Sequence, residues 1–206
     1  MRRWYREPNT RESLRTAMGF DKGKKMYNKI LVALDNSETS HQVFRQALDL
    51  AQKTSAALML VHGLSSEEEG SPLPLPPDVT GNYWMPGTGS EINFEVWRES
   101  WEHYETEGIE RLQKFSAMAN EMGVNAEFRQ MTGNPGKVIC RIAQQWQADL
   151  IVLGNRGRSG LSELVLGSVS NYVMHRATCS VLVLKGAALT GSAYFDEATA
   201  AVEAGR

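Results

Sequence analysis

Short apolar runs and amphipathic stripes alternate through the middle of this chain. Lys29-Ile-Leu-Val-Ala-Leu-Asp35 is almost continuously apolar before its acidic end, the pattern of a strand covered on both faces. Asn36-Ser37-Glu38-Thr39-Ser40 follows with side-chain oxygens able to cap a helix, and Val43, Phe44, Ala47, Leu50 and Ala51 recur behind it at helical spacing. Ala56 to His62 repeats the strand pattern, and the Pro-, Gly- and Ser-rich stretch from Ser65 to Ser90 predicts a long loop. From Glu91 to Glu121, one stripe of a long helix is predicted by Trp97, Trp101, Tyr104, Leu112, Phe115, Ala119 and Met122, with Gly123 as its stop.

The remaining elements are shorter. Asn125 to Met131 alternates as a strand, and Pro135 to Trp146 reads as a helix with Val138, Ile139, Ile142 and Trp146 inward. Asp149 to Leu153 is another apolar strand, Gly154 to Gly167 a glycine-bearing loop, Ser168 to Arg176 a helix, and Ser180 to Leu184 a fifth strand. Strands alternating with helices predict an α/β domain, a parallel sheet with helices on its faces, over residues 27–185. Residues 1–26 and 186–206 fall outside the pattern and are expected to be tails.

Charge and cysteine content narrow the function classes. A formal net charge of −2 hides a basic start, with Arg2, Arg3, Arg6, Arg11, Arg15, Lys22, Lys24 and Lys25 against Glu7, Glu12 and Asp21. The rest is acidic, so the chain as a whole has no pull toward nucleic acid. Cys140 and Cys179 are the two cysteines and lack the neighbours of a disulfide framework, a zinc site or a redox pair, which makes a reducing cytoplasm the expected setting. No apolar run approaches the ~20 residues of a membrane span.

In an open parallel sheet, ligands bind beyond the carboxyl ends of the strands, where the winding reverses. Two such ends carry unusual residues: Asp35 after the first strand, and Gly154-Asn-Arg-Gly157-Arg-Ser-Gly160 after the fourth, leading to Gly167-Ser168 at the head of a helix. Glycines let the backbone approach phosphate oxygens, and the helix head offers unpaired N–H groups to an anion. Asp35 has a plainer role open to it, capping the next helix. Arg156 and Arg158 have two: neutralising phosphate or solvating a loop. His62 reads as a hydrogen-bonded structural histidine, with no second histidine or carboxylate at ligand spacing beside it.

Gly154, Gly157, Gly167 and Ser168 spell G-x-x-G, nine residues, then G-S, a spacing that resembles the nucleotide motif of the universal stress protein family. The likeness runs from Asn28 to Lys185 and includes the opening Lys29–Asp35 and the closing Cys179-Ser-Val-Leu-Val-Leu184. It implies a Rossmann-like, adenine-nucleotide-binding fold: an open five-stranded parallel sheet of order 3-2-1-4-5. ATP, AMP or cyclic AMP would bind with Ala33 and Asp35 at the nucleoside and Leu153 near base or ribose. Gly154, Gly157, Gly167, Ser168 and Ser170 would surround the phosphates. Arg156 and Val169 are counted with them as nucleotide-binding candidates, and a single carboxylate such as Asp35 can meet Mg²⁺ through water and the nucleotide. The resemblance further implies a homodimer paired through Val181–Leu184. Gly63 departs from it, standing where a branched apolar residue often touches adenine.

Three function classes follow. The first is a nucleotide-binding stress-response or signalling module. The second is a slow ATPase or phosphotransferase; the chain has no Walker lysine, kinase signature or obvious general base, so weak ATP hydrolysis is the most expected of it. The third is a ligand-free scaffold that docks an unknown protein partner through the 65–90 loop and the aromatic helix.

Overall fold

In the computed structural model, the described residues are 25–37, 39–66, 68, 70–72, 90–155 and 166–185, with side chains from 95 onward in the third of these long stretches. Five strands and four helices alternate: β1 (Lys29–Leu34), α1 (Thr39–Thr54), β2 (Ala57–Leu64), α2 (Ser90–Glu121), β3 (Ala126–Thr132), α3 (Pro135–Trp146), β4 (Leu150–Gly154), α4 (Ser168–Arg176) and β5 (Ser180–Leu184). All strands are parallel, in the order β3-β2-β1-β4-β5, as expected. The expected tails at 1–24 and 186–206, and 73–89 of the expected loop, lie outside the described residues.

Alternation along each strand sends successive side chains to opposite faces, so two cores form. On one face Ile30, Val32, Leu58, Leu60 and Val152 pack against Val43, Phe44 and Ala47 of α1 and Leu112, Phe115 and Ala119 of α2. Phe44 stacks on Phe115 with centroids 4.5 Å apart. On the other, Leu31, Met59, Val61, Ile151 and Leu153 meet Val138, Ile139 and Ile142 of α3 and Val173 of α4. Burying strands on both faces explains why their sequences read as unbroken apolar runs.

Helix limits follow local chemistry. Asn134, extended at φ −62°, accepts from the Lys137 amide, Pro135 occupies the first turn, and Gln147 closes α3 in the left-handed region. Gly123, at φ +79°, stops α2 as expected.

Two expectations need correction, and the Trp97–Trp101–Tyr104 part of the α2 stripe holds with its two tryptophans partly covered. Met122 is 49% exposed and lies off the buried stripe of α2, whose last buried residue is Ala119, one turn earlier. Trp97 and Trp101 are only half-buried and stack on each other at 5.8 Å. His62 does not end β2, which pairs with β3 through Leu64↔Thr132. Gly63 therefore lies inside a strand, where an added Cβ would sit 2.9 Å from the Cα of Pro135. The amino end of α3 occupies the space a branched side chain would need.

Gly63→Ala should accordingly destabilise the domain by about 1–3 kcal/mol through forced backbone movement, read as a lower urea midpoint with unchanged slope. Met122→Ala, at an exposed position, should stay within about 0.5 kcal/mol of the parent.

Candidate functional site

The sheet reverses its winding at β1, which pairs with β2 on one edge and β4 on the other. A crevice therefore opens beyond Leu34 and Gly154. Asp35 extends from β1 into the turn before α1. Its Oδ1 accepts from the Ser37 amide, the Ser37 hydroxyl and the Ser40 hydroxyl, while the Ser40 hydroxyl also accepts from the Asp35 amide. These bonds, from the turn before α1 and from the Ser40 hydroxyl in its first turn, fix the carboxylate at the crevice.

Across the crevice, Asn155 leaves β4 with its amide donating 2.7 Å to Leu184, which extends the β4–β5 ladder by one bond. Its Oδ1 accepts from the Gly167 amide at 3.0 Å, joining the end of β4 to the head of α4. Gly167 is the N-cap of α4, extended at φ −60° and ψ 157°, and makes no side-chain capping bond. The amino end of this nine-residue helix thus directs backbone N–H groups and its dipole toward the crevice without a side-chain cap. Ser170 is 2% exposed and donates to the Gly154 carbonyl at 3.2 Å, locking α4 to the end of β4.

Of the expected site residues, Asp35, Gly154, Gly167, Ser168, Val169 and Ser170 lie on the ends of β1, β4 and α4, while Ala33 and Leu153 sit side by side in the β1–β4 register. Leu153 is buried and Ala33 half-buried, both on the α3–α4 face. Arg156 and Gly157 lie outside the described residues, as does Arg158. A Cβ added at Gly154 would meet Val43 of α1 at 3.2 Å, on the face away from Leu153. A larger residue there would disturb helix packing rather than test a phosphate path. Asn155 was absent from the expected set although it joins the end of β4 to the head of α4; a side chain that caps a residue twelve positions on leaves no periodic signal.

Sequence reasoning also missed a buried polar cluster behind Asp35. Glu68 reaches back to His62, whose Nε2 lies 2.9 Å from its Oε2; the side chains are 7% and 4% exposed. His62 Nδ1 faces Gln130 Oε1 at 3.0 Å, and Gln130 in turn donates to the Glu105 carbonyl. Both ring nitrogens thus have hydrogen-bond partners, so the imidazole is held at two points. Tyr104 donates its hydroxyl to Glu68 Oε2, and the Asn36 amide donates to Oε1 at 2.8 Å. Gly108 admits the cluster, since a Cβ there would sit 2.8 Å from His62 Nδ1. His62 is thus the hydrogen-bonded structural histidine expected, and chain folding after β2, not close spacing, brings Glu68 to it.

Burial alone would raise the pKa of Glu68, but the His62 hydrogen bond and charge, the Tyr104 hydroxyl and the Asn36 amide together outweigh it and hold the carboxyl below its ordinary value. Burial pushes both Cys140 and Cys179 thiols up, which makes them poor nucleophiles at neutral pH. At the opposite, amino end of the strands a groove of about 540 Å³ is lined by residues including Lys25, Gln52, Ser55, Met122 and Asn125. Two of its polar side chains are internally engaged, Lys25 with the Ser55 carbonyl and Gln52 with that of Met122. No helix among the described residues is long and apolar enough to cross a membrane.

A carboxyl with a depressed folded-state pKa adds stability above its unfolded pKa, and that stability is lost as pH falls through the folded value. The stability difference between the parent and Glu68→Gln should therefore be constant near neutrality and shift against the parent as pH drops below about 4.3, the range of an unperturbed glutamate. Urea unfolding at a series of pH values checks this; a pH-independent difference would contradict it.

Comparison with known proteins agrees with this architecture. The family model described as "Universal stress protein family" matches residues 26–82 and 83–185. Universal stress protein Sll1388 of Synechocystis sp. is 40% identical over 160 residues, covering 77% of this chain and 98% of the relative. YxiE of Bacillus subtilis is 36% identical over 162 residues, covering 78% and 100%. Among solved structures, the hypothetical protein MJ0577 superposes with a TM-score of 0.58 at 22% identity, over 78% of this chain and 96% of the other. UspA from Lactobacillus plantarum gives 0.52 at 23% identity, over 77% and 97%; these two likenesses concern the fold. With matching sequence along both halves of the described sheet, the chain belongs to the universal stress protein family.

Proposed function

We propose that this chain binds an adenine nucleotide, ATP foremost, in the crevice between the carboxyl ends of β1 and β4, and works as a binding module in stress response or signalling. The observation that carries the reading is the amino end of α4. It has no side-chain cap, and its two neighbours are fixed, Gly167 by Asn155 and Ser170 by the Gly154 carbonyl. Donors pre-set in this way lose little entropy when an anion arrives.

In this reading the phosphates lie at the amides of Ser168 and Val169, near the Gly154–Gly157 turn, with Arg156 beside them. The nucleoside lies along Ala33 and Leu153, and Asp35 faces the ribose. Charge-assisted N–H bonds contribute about 1.5–3 kcal/mol each, and the helix dipole about 0.3–1 kcal/mol. Three or four donors therefore account for micromolar affinity, roughly −8 kcal/mol. Mg²⁺ carried by the phosphates would supply charge neutralisation, with Asp35 the carboxylate to meet it through water. Because Asp35 is engaged by Ser37 and Ser40, its assigned role is orientation rather than proton abstraction, which favours binding over hydrolysis.

The assembly proposed with this function is a homodimer across β5. That strand lies at one end of the sheet order, its Leu182 is 39% exposed, and Val181 and Val183 are half-buried. An edge strand of this kind offers backbone groups to a second copy.

Ser168→Asp is the direct test. A carboxylate in the first turn of α4 favours the helix while competing with phosphate for the same amides. The variant should melt at or above the parent temperature and bind ATP at least about tenfold more weakly by calorimetry, equivalent to about 1.4 kcal/mol. Parental affinity in this variant would contradict the proposed phosphate position.

A further inference from the structure

The Asp35–Asn36 peptide unit is held at both of its polar atoms. Arg111, half-buried on α2, donates from Nη1 to the Asp35 carbonyl at 3.4 Å and to the Asn36 side-chain oxygen. Glu68 accepts the Asn36 amide at 2.8 Å. With the carbonyl held by α2 and the amide by the segment after β2, the peptide plane has little freedom to rotate, and neither does the Asp35 backbone that aims its carboxylate. The grips are themselves anchored: Glu68 by His62 and Tyr104, His62 by Gln130, and Gln130 by the Glu105 carbonyl.

We propose that Glu68 and Arg111 are positioning residues for the nucleotide crevice, clamping the Asp35–Asn36 peptide so that Asp35 is preset for its ligand. The inference rests on the nucleotide reading above and adds residues that do not touch the ligand. His62, Glu68 and Tyr104 form a hydrogen-bonded wall on the α1–α2 side of β2, whereas Ala33 and Leu153 line the α3–α4 side of the sheet. Their contribution is preorganisation: without the clamp, ligand binding must itself order the turn, and affinity falls by that cost. Clamping also links the site to α2, because Tyr104 and Arg111 both stand on that helix, one donating to Glu68 and the other to the Asp35 carbonyl.

Calorimetry of ATP binding to the full chain, the Glu68→Ala variant and the Glu68→Gln variant separates positioning from general support. Glutamine retains an acceptor for the Asn36 amide; alanine does not. Glu68→Ala should weaken ATP binding about tenfold, the worth of one hydrogen bond of this kind, with Glu68→Gln within about twofold of the parent. The Asn36 amide should exchange with solvent faster in the alanine variant alone. Equal affinity of parent and Glu68→Ala, or a glutamine variant as weak as alanine, would overturn the clamp while leaving the nucleotide reading intact. A parent chain that bound no ATP would overturn both. Should Glu68→Ala not fold, Arg111→Met removes the other grip and should also weaken ATP binding severalfold; parental affinity there overturns the proposal equally.

Discussion

The pairing of β1 with β4 is the constraint on which the site depends. Ile30 to Ala33 run in register beside Leu150 to Leu153, so the two chains leave the sheet next to each other. Because β2 occupies the other edge of β1, the crossovers depart in opposite directions and leave a gap at the strand ends. Asp35 and Asn155 are the residues delivered to that gap, one from each strand. A slip of one residue in this register would exchange the faces of β4 and turn Leu150 and Val152 from the α1–α2 core into the α3–α4 core. Apolar burial on both faces therefore places the site as well as stabilising the sheet.

Local polar chemistry then converts a gap into an oriented crevice. Each lip is stiffened by its own short-range bonds: Asp35 with Ser37 and Ser40 on one side, Asn155 with Gly167 and Ser170 with Gly154 on the other. The head of α4 presents backbone amides, which suits recognition of an anion by geometry, whereas the β1 lip carries the Asp35 carboxylate with the amides around it engaged. Behind the β1 lip, the Glu68–His62 cluster is buried and hydrogen-bonded through Gln130, Tyr104 and Asn36. Removing one member of such a buried network leaves its partner's polar group unsatisfied, at a cost of about 1–3 kcal/mol. That cost makes the cluster a rigid support.

Strands and helices were legible in the sequence because they are covered on both faces or along one stripe, and burial of that kind writes itself into residue order. Ile30 and Leu31 are both fully buried although they face opposite ways, which is why the run reads as continuous. The local engagement of Asp35 was legible too, since Ser37 and Ser40 lie two and five positions away. What could not be read depended on contacts between distant segments. Glu68 is one acidic residue in a polar stretch, and nothing in its spacing shows that it meets His62, Tyr104 and Asn36. Met122 matched the helical period but falls past the end of the covered part of α2. Gly63 read as a gap in a ligand site, whereas the gap is taken by Pro135.

The most direct test of the account is an amide chemical-shift map of the isotopically labelled chain titrated with ATP. The account predicts the largest changes at Asp35 to Ser37, Gly154 and Asn155, and Gly167 to Ser170, with the groove around Gln52, Ser55 and Asn125 unaffected. Shifts confined to that groove, or none at saturating ATP, would contradict the claim that the paired ends of β1 and β4 form the binding site.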